Sequence, residues 1–369
     1  MVKRWVVATA TLAVAVSVSL QCRPVEAKRS SLVVPTNYPT IQSAINAAVA
    51  GDTVHVLRGT YAEQLRIGKD VTIAGAGMDT TIIRAPASLQ PGALGDTAIV
   101  EILGGATVNV SRLTVSGPGL GTCASGALTA GIRVHGEAHL DFSHAAVRNV
   151  HDSPLAACFH SGTGILVGQV PGPVASLSID HSEITNYQSS GIVILGFGST
   201  ATITHNTVAG PGVSGGVATD GIEFPVGSVG TISHNIVSGN ICPPADSTCG
   251  PDFFTQYQHA GILAGGWGPG TVVSHNVVFG NQLGLFLGEA DEISHNTMED
   301  NDFFGLAVGD GTFLIDHAQI KGGGGGVWVI ADAAETNVRL KDVKFVGISG
   351  PKVQKLECCG FTATVTTAP

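Results

Sequence analysis

Asp220 and Glu223 stand three residues apart in the segment "ATDGIEF", which starts at Ala218. Two carboxyls held close together can divide acid and base work, because each raises the cost of ionising the other. The following stretch, residues 239–260, adds Asp246, Asp252, Tyr257 and His259, and His259 is a candidate helper to the acid pair. A glycoside hydrolase needs its two carboxyls about 5–9.5 Å apart. A lyase assisted by calcium wants several carboxylates around a hard cation and a basic group near the sugar, so calcium is the one cofactor this chemistry would require. The competing reading is architectural: Asp220 caps its loop and Glu223 is a solvated surface residue.

Histidine also recurs. The segments "TITHNTV", "TISHNIV", "VVSHNVV" and "EISHNTM" belong to a series at His144, His181, His205, His234, His275, His295 and His317. A metal reading needs three or more imidazoles converging on one ion at about 2.0–2.1 Å. Histidines repeated on stacked elements instead run parallel, so no metal site is expected from the series. The adjacent Asn206, Asn235, Asn276 and Asn296 suit a sharp corner, since Asn tolerates left-handed backbone. In register they would form a ladder of side-chain amide hydrogen bonds.

Such residues need repeated elements to hold them, and a second series supplies these. Gly131-Ile132, Gly164-Ile165, Gly191-Ile192, Gly221-Ile222, Gly261-Ile262, Gly284-Leu285, Gly305-Leu306 and Gly326-Val327 recur at spacings of 21 to 40 residues. Each unit then reads as an anchor strand, a second strand, a His-Asn corner and a third strand. Three short strands in a minimum of 21 residues make one coil of a parallel β-helix. Stacked at about 4.8 Å, ten or so coils give a rod about 50 Å long. Period-2 alternation points Arg133, Leu166, Val193, Glu223, Leu263, Phe286, Ala307 and Trp328 outward, with His135 on the face of Arg133. Arg133, His135, Tyr257, Phe286 and Trp328 are therefore candidate substrate-binding residues, with Phe286 and Trp328 as a stacking platform for sugar rings. An apolar patch covered by a loop or partner fits the same two aromatics.

The long connections, residues 116–130, 151–163, 209–219 and 239–260, all precede an anchor and would stand side by side as one wall. Loop position suggests disulfides Cys242–Cys249 and Cys123–Cys158, and leaves Cys358 and Cys359 open. "PTIQSAINAAVA" from Pro39 reads as a capping helix over about 39–50, with Ile41, Ile45, Ala48 and Val49 on one face. Lys3 and Arg4, the apolar run from Trp5 to Leu20 and Val25-Glu26-Ala27 read as a signal peptide over residues 1–27. This implies a secreted or extracytoplasmic β-helix domain over 28–369, with no membrane insertion after cleavage. A formal charge of −10 argues against a nucleic-acid partner.

The segment "YPTIQSAINAAVAGDTVHVLRGTYAEQLRIGKDVTIAGAG", residues 38–77, resembles the opening of pectin-lyase-like right-handed β-helix proteins, a group that includes pectinesterase-type and periplasmic copper-protein-like members. The later "SHNxV" and "GI" units are similar to the generic repeat of that family. The resemblance implies an all-β fold: a right-handed, single-stranded parallel β-helix of about ten coils with the N-terminal cap helix. It also implies carbohydrate association, with a polysaccharide or cell-surface glycan as partner. Only Thr-Asp-Gly of the polygalacturonase-like motif set is present, in "ATDGIEF", so no catalytic set carries over. The expectation is an exported protein that binds an extended polysaccharide, with its cleavage by lyase or glycoside hydrolase chemistry left open. A non-catalytic structural or adhesion rod is the rival.

Overall fold

The computed structural model describes residues 31–121, 126–153, 161–213, 218–243, 259–265, 270–288 and 290–368. Each turn of chain contributes one strand to each of three parallel sheets of thirteen, eleven and eleven strands. In one turn Ala130–Val134 lies in the anchor sheet, His139–Ser143 in the second sheet and Ala146–Arg148 in the third. The next anchor strand, Thr163–Gly168, then returns to pair with the first. Along the anchor sheet Ile132, Ile165, Ile192, Ile222, Ile262, Leu285, Leu306 and Val327 follow in register. All eight are buried in one continuous core. The fold is the expected right-handed parallel β-helix.

Close approach explains the glycine before each of these aliphatics. A Cβ on Gly191 would lie 2.4 Å from Gly221 O and 2.7 Å from Val208 Cγ1. One on Gly221 would lie 2.4 Å from both Gly261 O and Val237 Cγ1. Between these glycine-bearing anchor strands no side chain fits at this column.

The corner differs from expectation in which residue bends. The seven histidines take the left-handed backbone, with φ between 47° and 58°. Asn206, Asn235, Asn276 and Asn296 point inward and are buried. Asn235 Nδ2 donates to Ile203 O at 2.8 Å and to Asn276 Oδ1 at 3.1 Å, while Asn235 Oδ1 accepts from Asn206 N at 3.0 Å. The amide is needed to satisfy backbone groups that the turn would otherwise strand in the core, so the bend falls on the outward residue before it. Asn206 and Asn276 repeat the pattern, each donating to the next Asn Oδ1. A second ladder, Asn240–Asn281–Asn301, closes the corner between the third and anchor sheets. Sequence reading missed it.

The cap helix spans Ile41–Ala47, shorter than the expected 39–50, and Thr40 and Ser43 form a capping box at its start. Ile41, Ala44 and Ile45 face the core. Ala48 is buried beyond the helix, whereas Val49 is 58% exposed and not on the core face. The chain turns extended at Ala48, which swings Val49 outward. The strand Leu32–Val34 precedes the helix and pairs with Asp52–Val56.

The roots of the predicted loop wall are paired structure. Gly119 bridges Asp152, setting the first two connections side by side. Strands Thr207–Val213 and Ile236–Ile241 run into spans expected to be loop, pairing Gly212 with Asn240 and Val213 with Ile241. Cys242 is buried at the end of the last of these strands, while Cys123, Cys158 and Cys249 lie outside the described residues, as do Asp246, Asp252 and Tyr257. Among the described residues no helix is long and apolar enough to cross a membrane.

Candidate active site

The outward column of the anchor sheet reads Arg66, Glu101, Arg133, Leu166, Val193, Glu223, Leu263, Phe286, Ala307, Trp328, Gln354 in register. The expected outward set is all here, extended at both ends. Three regions follow along it, and they differ in chemistry.

The N-terminal region is an ion-pair network. Glu101, 3% exposed, lies 2.6 Å from Arg66 Nε and 3.0 Å from His135 Nε2, and accepts from Ala93 N at 2.7 Å. Burial alone would raise its carboxyl, but the bonds from Ala93, His135 and Arg66 win and hold it below the usual range. Arg133 Nε pairs with Asp96 Oδ2 at 2.7 Å, and Nη1 donates to Val134 O at 2.9 Å. Arg133 and His135 thus lie on the expected face but are buried and committed to protein partners. Neither is presented to a ligand. Glu101 went unnoticed because "AIVEI" carries Ile99 where later anchors have glycine. The alternation Val100-Glu101-Ile102 was the available signal.

The C-terminal region is apolar. Trp328, 3% exposed, stacks on Phe304 with ring centroids 5.5 Å apart, within a cluster that includes Ala260, Leu283, Ala307 and Ile330. The stacking platform expected from Phe286 and Trp328 is therefore not formed, because Phe304 and its neighbours cover the indole. Phe286 is half-buried against the same cluster.

Between these regions lie the two acids. Asp220 opens the strand Asp220–Val226 and is 5% exposed, whereas Glu223, in the outward column, is half-buried. Asp220 Oδ1 accepts from Ala260 N at 2.8 Å, and Ser190 Oγ donates to Glu223 Oε2 at 3.0 Å. Burial raises the Asp220 carboxyl well above the usual range, and the neighbouring Glu223 charge raises it further. Burial also raises Glu223, with the Ser190 bond opposing. Both carboxyls are thus displaced towards their protonated forms, with Asp220 under both burial and a neighbouring charge. Directly past Glu223 the register against strand Ser190–Leu195 slips, so that Leu195 pairs with Val226. Such a bulge re-aims the strand beside the acids.

His259 is buried on the neighbouring coil, next to Ala260, whose N–H Asp220 accepts. Its Nδ1 accepts from Thr219 N at 3.3 Å and faces Thr219 Oγ1 at 2.6 Å. This assigns the ring proton to Nε2. Gln282 Oε1 accepts from His259 N at 2.6 Å, while the buried Gln282 Nε2 has no hydrogen-bond partner among the described residues. Gln282 and Ser190 were not anticipated from sequence. Each stands one or two residues before an anchor glycine, a position that alternation counted from the aliphatic does not flag.

Among the described residues, groups of three His, Cys, Asp or Glu side chains within ligating reach occur at Asp180–His181–His205 and Asp316–His317–Asp342, away from this face.

A family model described as a right handed beta helix region matches residues 98–286 and 163–343. Solved structures share the architecture at low identity. An alginate lyase from a Paenibacillus species is 12% identical, with 86% of this chain and 96% of that one covered and a TM-score of 0.47. A mannuronan C-5 epimerase A-module from Azotobacter vinelandii is 16% identical, with 89% and 94% covered and a TM-score of 0.45. A GH136 lacto-N-biosidase from Eubacterium ramulus is 13% identical, with 85% and 64% covered and a TM-score of 0.50. No curated protein sequence matches the chain.

Proposed function

The chain belongs to the right-handed β-helix region family, and from that premise we propose that it is an exported carbohydrate-active protein that hydrolyses a glycosidic bond at Asp220 and Glu223. The observation that carries this reading is the pair of raised carboxyls on the strand Asp220–Val226, with the Glu223 charge adding to the burial that raises Asp220. Glycoside hydrolysis uses one protonated carboxyl to supply the leaving oxygen and one carboxylate as base or nucleophile. Asp220, the more deeply buried of the two, is assigned as proton donor, and Glu223, at the more open edge and steadied by Ser190, as the carboxylate. His259 and Thr219 are assigned to hold the adjoining strand ends in place.

A lyase reading fits less well. Abstraction of a proton beside a uronate needs positive charge to neutralise the substrate carboxylate. Among the described residues, the groups that hydrogen-bond the two acids are Ala260 N and Ser190 Oγ, and neither is cationic. The formal charge of −10 also does not favour a polyanionic substrate. A neutral glycan is the better match. Export through the signal at residues 1–27 and disulfides within the long loops belong to the same reading.

The non-catalytic rod keeps a specific observation in its favour: Arg133, His135 and Trp328, all on this outward face, are sealed. A panel of neutral and acidic polysaccharides, scored for new reducing ends, separates the two. Hydrolysis should appear with the unaltered chain and fall about 100-fold or more in Asp220→Asn and in Glu223→Gln, as loss of a general acid or base typically does. Activity surviving both substitutions would remove the assignment to these two acids, whereas no hydrolysis of any glycan supports the rod.

A further inference from the structure

The outward side of the His-Asn corner carries seven stacked imidazoles, from His144 to His317, with ring centroids 4.6–5.2 Å apart. One stretch of the column is chemically distinct. Asp180 reaches two successive rings: its Oδ2 accepts from His181 Nδ1 at 2.5 Å and its Oδ1 from His205 Nδ1 at 3.2 Å. Thr204 Oγ1 donates to the same Oδ1 at 3.0 Å. By contrast Ser233, Ser274 and Ser294 precede His234, His275 and His295, so those rungs have no carboxylate in the equivalent place.

We propose that Asp180, His181 and His205 form a binding site for one divalent transition-metal ion of the zinc, nickel or copper class. The three ligating atoms lie within 4.8 Å of one another. Two nitrogens bound to one such ion at about 2.0–2.1 Å are at most about 4.2 Å apart, so small side-chain rotations suffice. Those rotations are available, because the side chains of His181, His205 and Asp180 are 54%, 49% and 43% exposed. Face-to-face rings present their lone pairs in parallel, which argues against an ion between them. Here both Nδ1 atoms face one carboxylate, so the ion enters from that edge. Water would complete the coordination.

The proton balance closes within each ring. The Asp180 carboxylate accepts from both Nδ1 atoms, and these bonds hold it below the usual range against a burial effect that would raise it. Metal ligation requires a bare Nδ1, so each proton moves to Nε2 of the same ring and none is lost overall. Two imidazoles and one carboxylate suit zinc, nickel or copper better than calcium or magnesium, which prefer all-oxygen sets. The second group, Asp316–His317–Asp342, has a single imidazole, and Lys341 Nζ already sits 2.9 Å from Asp316. Its ammonium occupies the place of an ion, which makes that group the weaker candidate.

The test is a calorimetric titration of the full chain with zinc chloride, together with nitrogen NMR of histidine-labelled protein. The expected result is one saturable equivalent, a Ca2+ control with no binding, and transfer of the His181 and His205 protons from Nδ1 to Nε2. Asp180→Asn and His205→Gln should each weaken zinc at least tenfold, while His275→Gln leaves it unchanged. Absence of saturable binding would overturn the proposal. So would equal weakening by His275→Gln, which marks general surface-histidine binding, or unchanged Nδ1 protonation in the zinc-saturated chain, a readout that needs no variant.

Discussion

Asp220 spends stability to keep its proton. A carboxyl whose folded pKa lies above its unfolded value binds more protons in the native state, so its contribution diminishes as pH rises above the ordinary carboxylate range. Each pH unit of that elevation corresponds to about 1.4 kcal/mol. Asp220→Asn retains an oxygen for Ala260 N and has no charge to bury. Thermal or urea denaturation should therefore find this variant more stable than the parent at pH 8, with the gain shrinking towards pH 4. A pH-independent difference would mean that the carboxyl is not raised. The same position shows what was legible at this scale. The residue types and spacing in "ATDGIEF" flagged the pair, and alternation placed Glu223 outward. The burial that gives Asp220 its chemistry comes from neighbouring coils, and no local pattern reports it. Arg133 and Trp328 were misjudged for the same reason: facing away from the core was equated with access, although Asp96 and Phe304 cover them.

At the scale of elements, the anchors were the most readable feature because their cause is local and repeated. From Gly131 to Gly284 one anchor strand's carbonyl closes on the neighbouring strand's Cα, and the carbonyl of Gly221 would sit 2.4 Å from a Cβ on Gly191. Gly221 O and the buried side chains of Val208 and Tyr187 leave little room to relax. Gly191→Ala should destabilise the rod by about 1–3 kcal/mol, the usual range for overpacking, measured by chemical denaturation. A neutral result would show that the coils can separate at no cost. Corners were read less well. Both His and Asn tolerate left-handed backbone, so the sequence pair alone does not say which bends. The deciding factor is the buried amide, which must serve Ile203 O and Asn206 N at once.

At the scale of the whole molecule, repetition turns small local effects into long columns. The imidazole column is the clearest case for pH. Burial and the neighbouring His295 and His234 charges lower the His275 pKa, with Glu292 acting in the opposite direction. A histidine with a depressed folded pKa contributes stability above its ordinary range, near pH 6.5, that is lost as pH falls through the folded value. The melting temperature should therefore drop between pH 7.5 and 5.5, and drop less in His275→Gln. Asp220 and Glu223 share the strand Asp220–Val226, and the functional account depends on one keeping its proton while the other ionises. The direct measurement is carbon NMR of the full chain with labelled Asp and Glu carboxyls, assigned through Asp220→Asn and Glu223→Gln and followed across pH. Asp220 should remain protonated at pH 7, and Glu223 should titrate above the ordinary glutamate range. If both carboxyls ionise near the ordinary value of about 4, the assignment of acid and base on this face is contradicted.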